Sequence, residues 1–454
     1  MLLRTYTPVA KSIARYTALG SPAEHCGICR FYAAPNICAR VVGPVVPAGW
    51  CKFFSKEAVF RPLWPYAGAG APSLDMSFTT PGAMPSGVTF TRASTAKYFD
   101  VSGTMQTAAA NAPRWDYNPT SHALNGLLIE EARTNLLLYS GDLSNAGGWT
   151  PAGITSAAPT MTANQTAAPD GTVTAARLVF PAVSAAGGAS IDFQQPTMTA
   201  VPYTFSVYLK GNAGGEQLYL IVENGTASVF YKLRVTLTTA WQRFTLTTPA
   251  LTAAAWIFAI GADLRDATQT SIAAQTIFAW GAQVEAGAFA TSYIPTTTAA
   301  VTRAADSCVI PSANMGWFVS SGSWFAEFIC LNPAPPSQRV IGYPTASNRT
   351  QIYVNPANQA GTFDGASVVT ASNALTTGAV SKAASAWAPN VASVCLNGST
   401  VASGAMTTGF SDAAAWGTGI MQYGITPDGM TGYIRRVRYW PRVLSTAEMQ
   451  SVTT

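Results

Sequence analysis

The chain has 454 residues, of which 48% are apolar and only 10% charged, and it carries a formal net charge of +5. At ~100–200 residues per domain this length predicts two to four domains, the larger of them big enough to bury a proper core. The positive residues are scattered, without the basic stripe and interleaved aromatics of a nucleic-acid groove, and no run reaches the ~18 apolar residues of a membrane span, so neither nucleic-acid binding nor membrane insertion is expected.

Ala, Thr, Ser and Gly fill much of the sequence. Small, uncharged, β-tolerant residues suit stacked sheets with neutral faces, and the fold class is expected to be mainly β. Residues 1–20 read as an N-terminal arm. Its apolar runs, broken by Arg4, Lys11 and Arg15, are too short for a signal-peptide core, so folding in the cytoplasm is expected. Residues 21–57 hold a cysteine cluster. Residues 58–75, with three Pro and two Gly, form a linker. Residues 76–138 read as a β connector of short strands and turns.

From 139 to 307 the chain alternates in strand fashion. Tyr203, Phe205, Val207 and Leu209 share one face, with Thr204, Ser206 and Lys210 on the other. Leu218, Leu220 and Val222 share a face, the Asn224-Gly225 pair marks a hairpin, and Tyr231, Leu233, Val235 and Leu237 follow together. Short strands with frequent turns predict a β-sandwich. Residues 308–454 start a second series (GSWFAEFICL, RVIGY, TQIYVN, ASVCLNG, GYIRRVRYWPRVL) and a second sandwich. Ser445 and Glu448 form a capping-box pattern for one short terminal helix. Cys308, Cys330 and Cys395 stand alone in β-like sequence and are expected as buried small hydrophobes.

Cys26, Cys29, Cys38 and Cys51 lie within 26 residues. So small a module cannot stabilise itself by burial alone, and a metal centre or two disulfides would supply the constraint. Structural zinc takes four thiolates, commonly as two paired knuckles, whereas here only Cys26 and Cys29 form a C-x2-C. Two disulfides would require an oxidising compartment. An iron–sulfur cluster is the third possibility. Phe31, Tyr32, Trp50, Phe53 and Phe54 would wall it off from water. The spacing, with Gly49-Trp50-Cys51-x-Phe53, resembles the high-potential iron–sulfur proteins over about 35 residues. That resemblance implies a [4Fe-4S] cluster on Cys26, Cys29, Cys38 and Cys51, with zinc as the alternative. No nucleotide-fold, haem or flavin motif accompanies it, so a structural staple is favoured over an electron carrier.

Three motifs, Phe90-Thr-Arg-Ala-Ser-Thr-Ala96, Gly126-Leu-Leu-Ile-Glu-Glu-Ala-Arg-Thr-Asn135 and Tyr293-Ile-Pro-Thr-Thr-Thr-Ala-Ala-Val-Thr-Arg-Ala-Ala-Asp306, resemble a recurrent set of phage structural proteins of the head-fibre, tail-fibre or adhesion type. Glu130 and Glu131 are neighbours on a strand and point to opposite faces, which disfavours a catalytic pair. Arg92 and Arg303, each in a T-R-A context, are expected to anchor hydrogen bonds between modules. Residues 139–300 resemble carbohydrate-binding jelly rolls. Residues 308–454, through GYIRRVRYWPRVLSTAEM, are similar to concanavalin-type or laminin-G sandwiches. Asp364, Asp412 and Asp428 are too few to expect a calcium site. The aromatic platforms for sugar are sought at Trp317, Trp324, Trp387, Trp416 and Tyr423, each of which competes with a place in a sandwich core.

His25 and His122 are the only histidines, and no nucleophile elbow, metal-binding histidine pair or phosphate loop occurs, so no enzyme is expected. The expected protein is a virion fibre or spike, assembled in the host cytoplasm and anchored to other capsid or tail proteins through its N-terminal part. Its two sandwiches would meet a host-surface glycan, and the resemblance implies a homotrimer. The alternatives are a non-adhesive capsid decoration or tail protein, a particle-borne redox protein, and a glycan-degrading enzyme.

Overall fold

The period-two pattern places side chains where alternation requires. Tyr203, Phe205, Val207 and Leu209 of the strand Pro202–Gly211 enter one core, together with Leu218, Leu220, Val222 and Val235 from the next two strands and Leu237 just beyond them. The computed structural model describes residues 32–33, 37–38, 70–82, 84–311, 321–332, 338–342, 351–364, 366–406 and 429–454. The chain divides into two units, Met1–Ala67 and Gly68–Thr454. Within the first, Tyr32–Ala33 pairs antiparallel with Ile37–Cys38, Tyr32 opposite Cys38. The remaining cysteine-module ligands and shielding residues named above (Cys26, Cys29, Cys51, Phe31, Trp50 and Phe53) lie outside the described residues.

The second unit contains two β-sandwiches. One is built of two five-stranded antiparallel sheets. The first runs in the order Thr150–Ile154, Ala189–Gln194, Ile257–Asp263, Gln217–Glu223, Phe230–Thr236, and the second in the order Thr160–Thr166, Ala175–Phe180, Gln275–Ala286, Pro202–Gly211, Gln242–Ala250. Phe205 and Phe258, one from each sheet, meet edge to face at 5.9 Å between ring centroids. The Asn224-Gly225 hairpin forms as expected. Glu223 pairs with Phe230, and Asn224 Oδ1 accepts the amides of Ser228 and Val229 at 3.1 and 3.2 Å.

The other sandwich sets an eight-stranded sheet against a four-stranded one. Here the serial arrangement expected from the sequence is replaced by an insertion. Gly322–Cys330 and Val380–Ala388 lie at the centre of the large sheet, and the last strand, Gly432–Trp440, pairs on its far side with segments of the supposed linker and connector. Leu74–Ser77 takes one half of that edge, Met76 opposite Val437. Leu124–Ile129 takes the other half, Ile129 opposite Gly432, and Trp115–Tyr117 extends the sheet. Leu74–Ser77, Trp115–Tyr117 and Leu124–Ile129 are therefore strands of the C-terminal sandwich, and the 150–286 sandwich is inserted into it. We call the two the framework and the inserted sandwich. The close pairing explains Gly126 of the second motif. Its φ is 136°, and a Cβ there would stand 2.7 Å from the Ile434 carbonyl oxygen.

The framework core holds Trp324, Trp387 and Tyr439 in mutual ring contact, with centroids 4.8–6.4 Å apart. On the opposite face of the large sheet, Phe325, Ala384, Ala386, Cys395 and Trp440 pack against Leu444 and Met449 of the terminal segment. The helix Thr446–Thr453 begins at the expected capping box: Ser445 Oγ accepts the Glu448 amide, and Glu448 accepts the Ser445 amide at 2.8 Å. Cys308, Cys330 and Cys395 are buried free thiols, as expected. No helix among the described residues is long and apolar enough to cross a membrane.

Candidate functional site: a cleft beside the insertion root

The insertion leaves the framework through Arg133–Asn135 and returns through Val301–Arg303, and these two strands pair with each other. Thr89–Thr91 pairs in the same way with Ser307–Val309. Beneath them the three sequence motifs converge on one buried charge network. Asp306 accepts from Arg92 at 3.0 Å and from Arg114 at 2.5 Å. Arg114 also reaches Glu130 at 2.8 Å, and Arg303 lies 3.5 Å from the same carboxylate. Ser292 donates its amide and hydroxyl to Glu130, both at 2.6 Å. Arg303 donates to the Glu131 carbonyl at 2.6 Å. Arg92 and Arg303 thus join segments distant in sequence, as expected of them. Burial alone would push the Glu130 carboxyl up, but Arg303, Arg114 and the Ser292 donors outweigh it and hold the group at about 2.

Glu131 turns the other way and pairs with Arg133. The two adjacent glutamates therefore serve different partners, consistent with opposite faces of an extended chain. His122 occupies an exposed turn, its Nδ1 2.8 Å from the Val101 carbonyl oxygen.

Beside this network, between the framework and the inserted sandwich, opens a cleft of about 870 Å³. One wall belongs to the framework. Tyr98 and Phe99 come from the hairpin strand Ala96–Phe99, Tyr117 from the end of Trp115–Tyr117, and Tyr433 from the last strand. The other wall belongs to the inserted sandwich. Tyr208 stands on the outward face of Pro202–Gly211, and Trp241, Gln242 and Arg243 open the strand Gln242–Ala250. Met105 of the hairpin packs with Tyr208, Trp280 and Tyr293 and ties the two walls at their base.

The floor is buried and the rim is open. Tyr208, Tyr293, Tyr433 and Asp116 are all less than 10% exposed. Tyr98, Tyr117 and Trp241 are half-buried, and Asn118 and Gln242 are exposed. The rim is held in place by its own bonds. Trp241 Nε1 donates to the Ala167 carbonyl at 2.9 Å, and the Lys210 ammonium lies 5.3 Å from the Trp241 ring centroid. Asn118 Oδ1 caps the following turn, accepting the Thr120 and Ser121 amides at 2.9 Å each. On the floor, Asp116 accepts the Tyr433 hydroxyl at 2.6 Å and the Phe99 amide at 2.7 Å. Burial drives the Asp116 carboxyl up, and the two donors offset only part of that rise.

The structure corrects the aromatic platform sought in the sequence. Trp324 and Trp387 are 0% and 1% exposed and form the framework core, so they have no face to offer a sugar. Trp317, Trp416 and Tyr423 lie outside the described residues. The aromatic candidates at the cleft rim are the half-buried Trp241, Tyr98 and Tyr117 instead. Among the described residues, no group of three or more His, Cys, Asp or Glu side chains could hold a metal ion.

No family model matches the chain, and no curated protein does. Several solved structures are similar over about a third of it. The carbohydrate-binding module 40 of a Ruminococcus gnavus sialidase, solved with α2,3-sialyllactose, is 16% identical with a TM-score of 0.26, covering 31% of this chain and 86% of that one. A family 11 carbohydrate-binding module from Clostridium thermocellum is 11% identical with a TM-score of 0.25, covering 35% and 98%. A heptameric pentraxin from Limulus polyphemus is 12% identical with a TM-score of 0.24, covering 30% and 70%.

Proposed function

We propose that this chain is a glycan-binding structural protein, and that its sugar site is the cleft between the framework and inserted sandwiches. The carrying observation is the pairing of half-buried ring faces with exposed or half-buried hydrogen-bonding groups around one open cavity. Sugar rings present C–H faces that stack on aromatic side chains, and hydroxyls that need donors and acceptors beside them. Trp241, Tyr98 and Tyr117 provide the first, and Asn118, Gln242 and Asn125 the second. The two carboxylates in the walls are already engaged, Glu130 by arginines and Asp116 by a tyrosine hydroxyl and an amide. That engagement supports binding over hydrolysis, which needs two carboxyl groups free to face a scissile bond.

The wider setting follows from the sequence motifs: a bacteriophage head or tail fibre, trimeric, held to the particle by its N-terminal part, with a [4Fe-4S] cluster on Cys26, Cys29, Cys38 and Cys51 as a structural staple. A glycan array probed with the whole protein and with Trp241→Ala tests the central proposal. Wild-type binding to a host-surface glycan that falls at least tenfold in the variant supports it, and no binding to any glycan favours a purely structural particle protein. Iron and sulfide in anaerobically purified protein would support the cluster, and a colourless, zinc-loaded sample would remove it.

A further inference from the structure

We propose that the cleft selects sugars bearing a carboxylate, with the ring on Trp241 and the acid group at Arg243. This rests on the cleft being the sugar site. Arg243 lines the cavity beside Trp241, over the face of Tyr208 at 5.4 Å. It donates to the Thr291 carbonyl at 2.6 Å and to Ser206 Oγ at 2.9 Å, which fixes the guanidinium plane. Its Nε is buried without a hydrogen-bond partner, and among the described residues no carboxylate lies within ion-pair distance of it. The Arg243 side chain is half-buried and held by neutral acceptors, and the planar fork of a guanidinium matches a carboxylate in two parallel bonds.

The surroundings add to that positive charge. Lys97, half-buried, lines the same cavity and makes no ion pair among the described residues. Behind the Ser292 wall, three guanidinium groups (Arg92, Arg114, Arg303) face two carboxylates (Glu130, Asp306), which leaves one positive charge in excess. Arg114 places that charge directly behind the cleft lining, donating to Ser292 Oγ at 2.9 Å and to the Lys97 carbonyl at 3.0 Å. The negative groups in the walls do not cancel it. Glu130 is already counted in the network, and Asp116, held by the Tyr433 hydroxyl and the Phe99 amide, is one carboxylate against Arg243, Lys97 and the network excess. A neutral sugar would leave the Arg243 charge without a counter-ion, whereas an acidic one supplies it.

The test is calorimetric titration of the full chain with matched oligosaccharide pairs: hexuronates against their carboxyl-reduced hexoses, and sialylated against desialylated glycans. At least one acidic member should bind ten times or more tighter than its neutral partner. Arg243→Gln should remove that preference, and Lys97→Gln should reduce it severalfold. The Lys97 side chain makes no ion pair that the fold would miss, so the second variant reads the charge even if the first unfolds. Equal binding of both members of every pair would overturn the acid preference and leave sugar binding standing. Binding of no member would overturn the sugar site itself. Tighter binding of a sulfated analogue than of the carboxylate would overturn the carboxylate assignment.

Discussion

Glu130 and Asp116 line the same cavity, yet their surroundings push them in opposite directions. Glu130 loses hydration on burial but gains two arginines and two serine donors. Its carboxyl falls from 4.5 to about 2, a difference of about 3 kcal/mol between folded and unfolded chains. A depressed folded value means that this stability is fully present above pH ~4.5 and is lost as the pH falls from there toward ~2. Glu130→Gln should remove it at neutral pH and leave Arg114 and Arg303 facing one carboxylate fewer, a loss of about 3–5 kcal/mol. Chemical unfolding at pH 7 measures that loss, and a scan from pH 7 to pH 3 should be flatter for the variant than for the wild type. Asp116 runs the other way. Its raised carboxyl opposes folding at neutral pH and ceases to do so on protonation. Asp116→Asn keeps an acceptor for the Phe99 amide and a polar partner for Tyr433, so it should fold within about 1 kcal/mol of the wild type at pH 7.

At the scale of elements, alternation was legible where polar side chains separate the apolar ones along a strand. Pro202–Gly211 shows this: Phe205, Val207 and Leu209 enter the core, and Thr204, Ser206 and Lys210 alternate with them on the other face, although Thr204 and Ser206 are buried as well. Val380–Ala388 has no such contrast. Ala383 and Trp387 enter the framework core while Ala384 and Ala386 pack under the terminal helix, and a strand covered on both faces by small residues shows no period. The same lack of contrast hid the fate of Trp324 and Trp387, which a strand pattern can place in a core or on a surface equally well. The terminal helix was legible because its signal is local. Ser445→Ala should cost about 1 kcal/mol through the lost cap, read as a lower melting temperature with the remaining sheets unchanged in circular dichroism. The cleft was not legible. Tyr117 is more than 100 residues of chain away from Trp241 and Arg243, and only the folded insertion brings them to one cavity.

For the whole molecule, insertion replaces the expected row of modules. The motifs near residues 90, 130 and 300 mark the root where the inserted sandwich leaves and rejoins the framework, so their conspicuous arginines and acids were legible before their common purpose was. One consequence concerns fragments. Residues 308–454 alone lack Leu74–Ser77 and Leu124–Ile129, which pair with the last strand of the large sheet, and Trp115–Tyr117, which extends it. That fragment should fail to give the cooperative unfolding transition of the full chain, whereas two-state melting of the isolated fragment would contradict the inserted architecture.

The cleft as a sugar site is tested most directly by a crystal structure of the full chain with an oligosaccharide it binds. The account predicts one sugar ring lying flat on the Trp241 indole, with polar atoms within hydrogen-bond reach of Arg243 or Asn118. A fully occupied sugar bound elsewhere on the molecule, with the cleft holding only solvent, would contradict it.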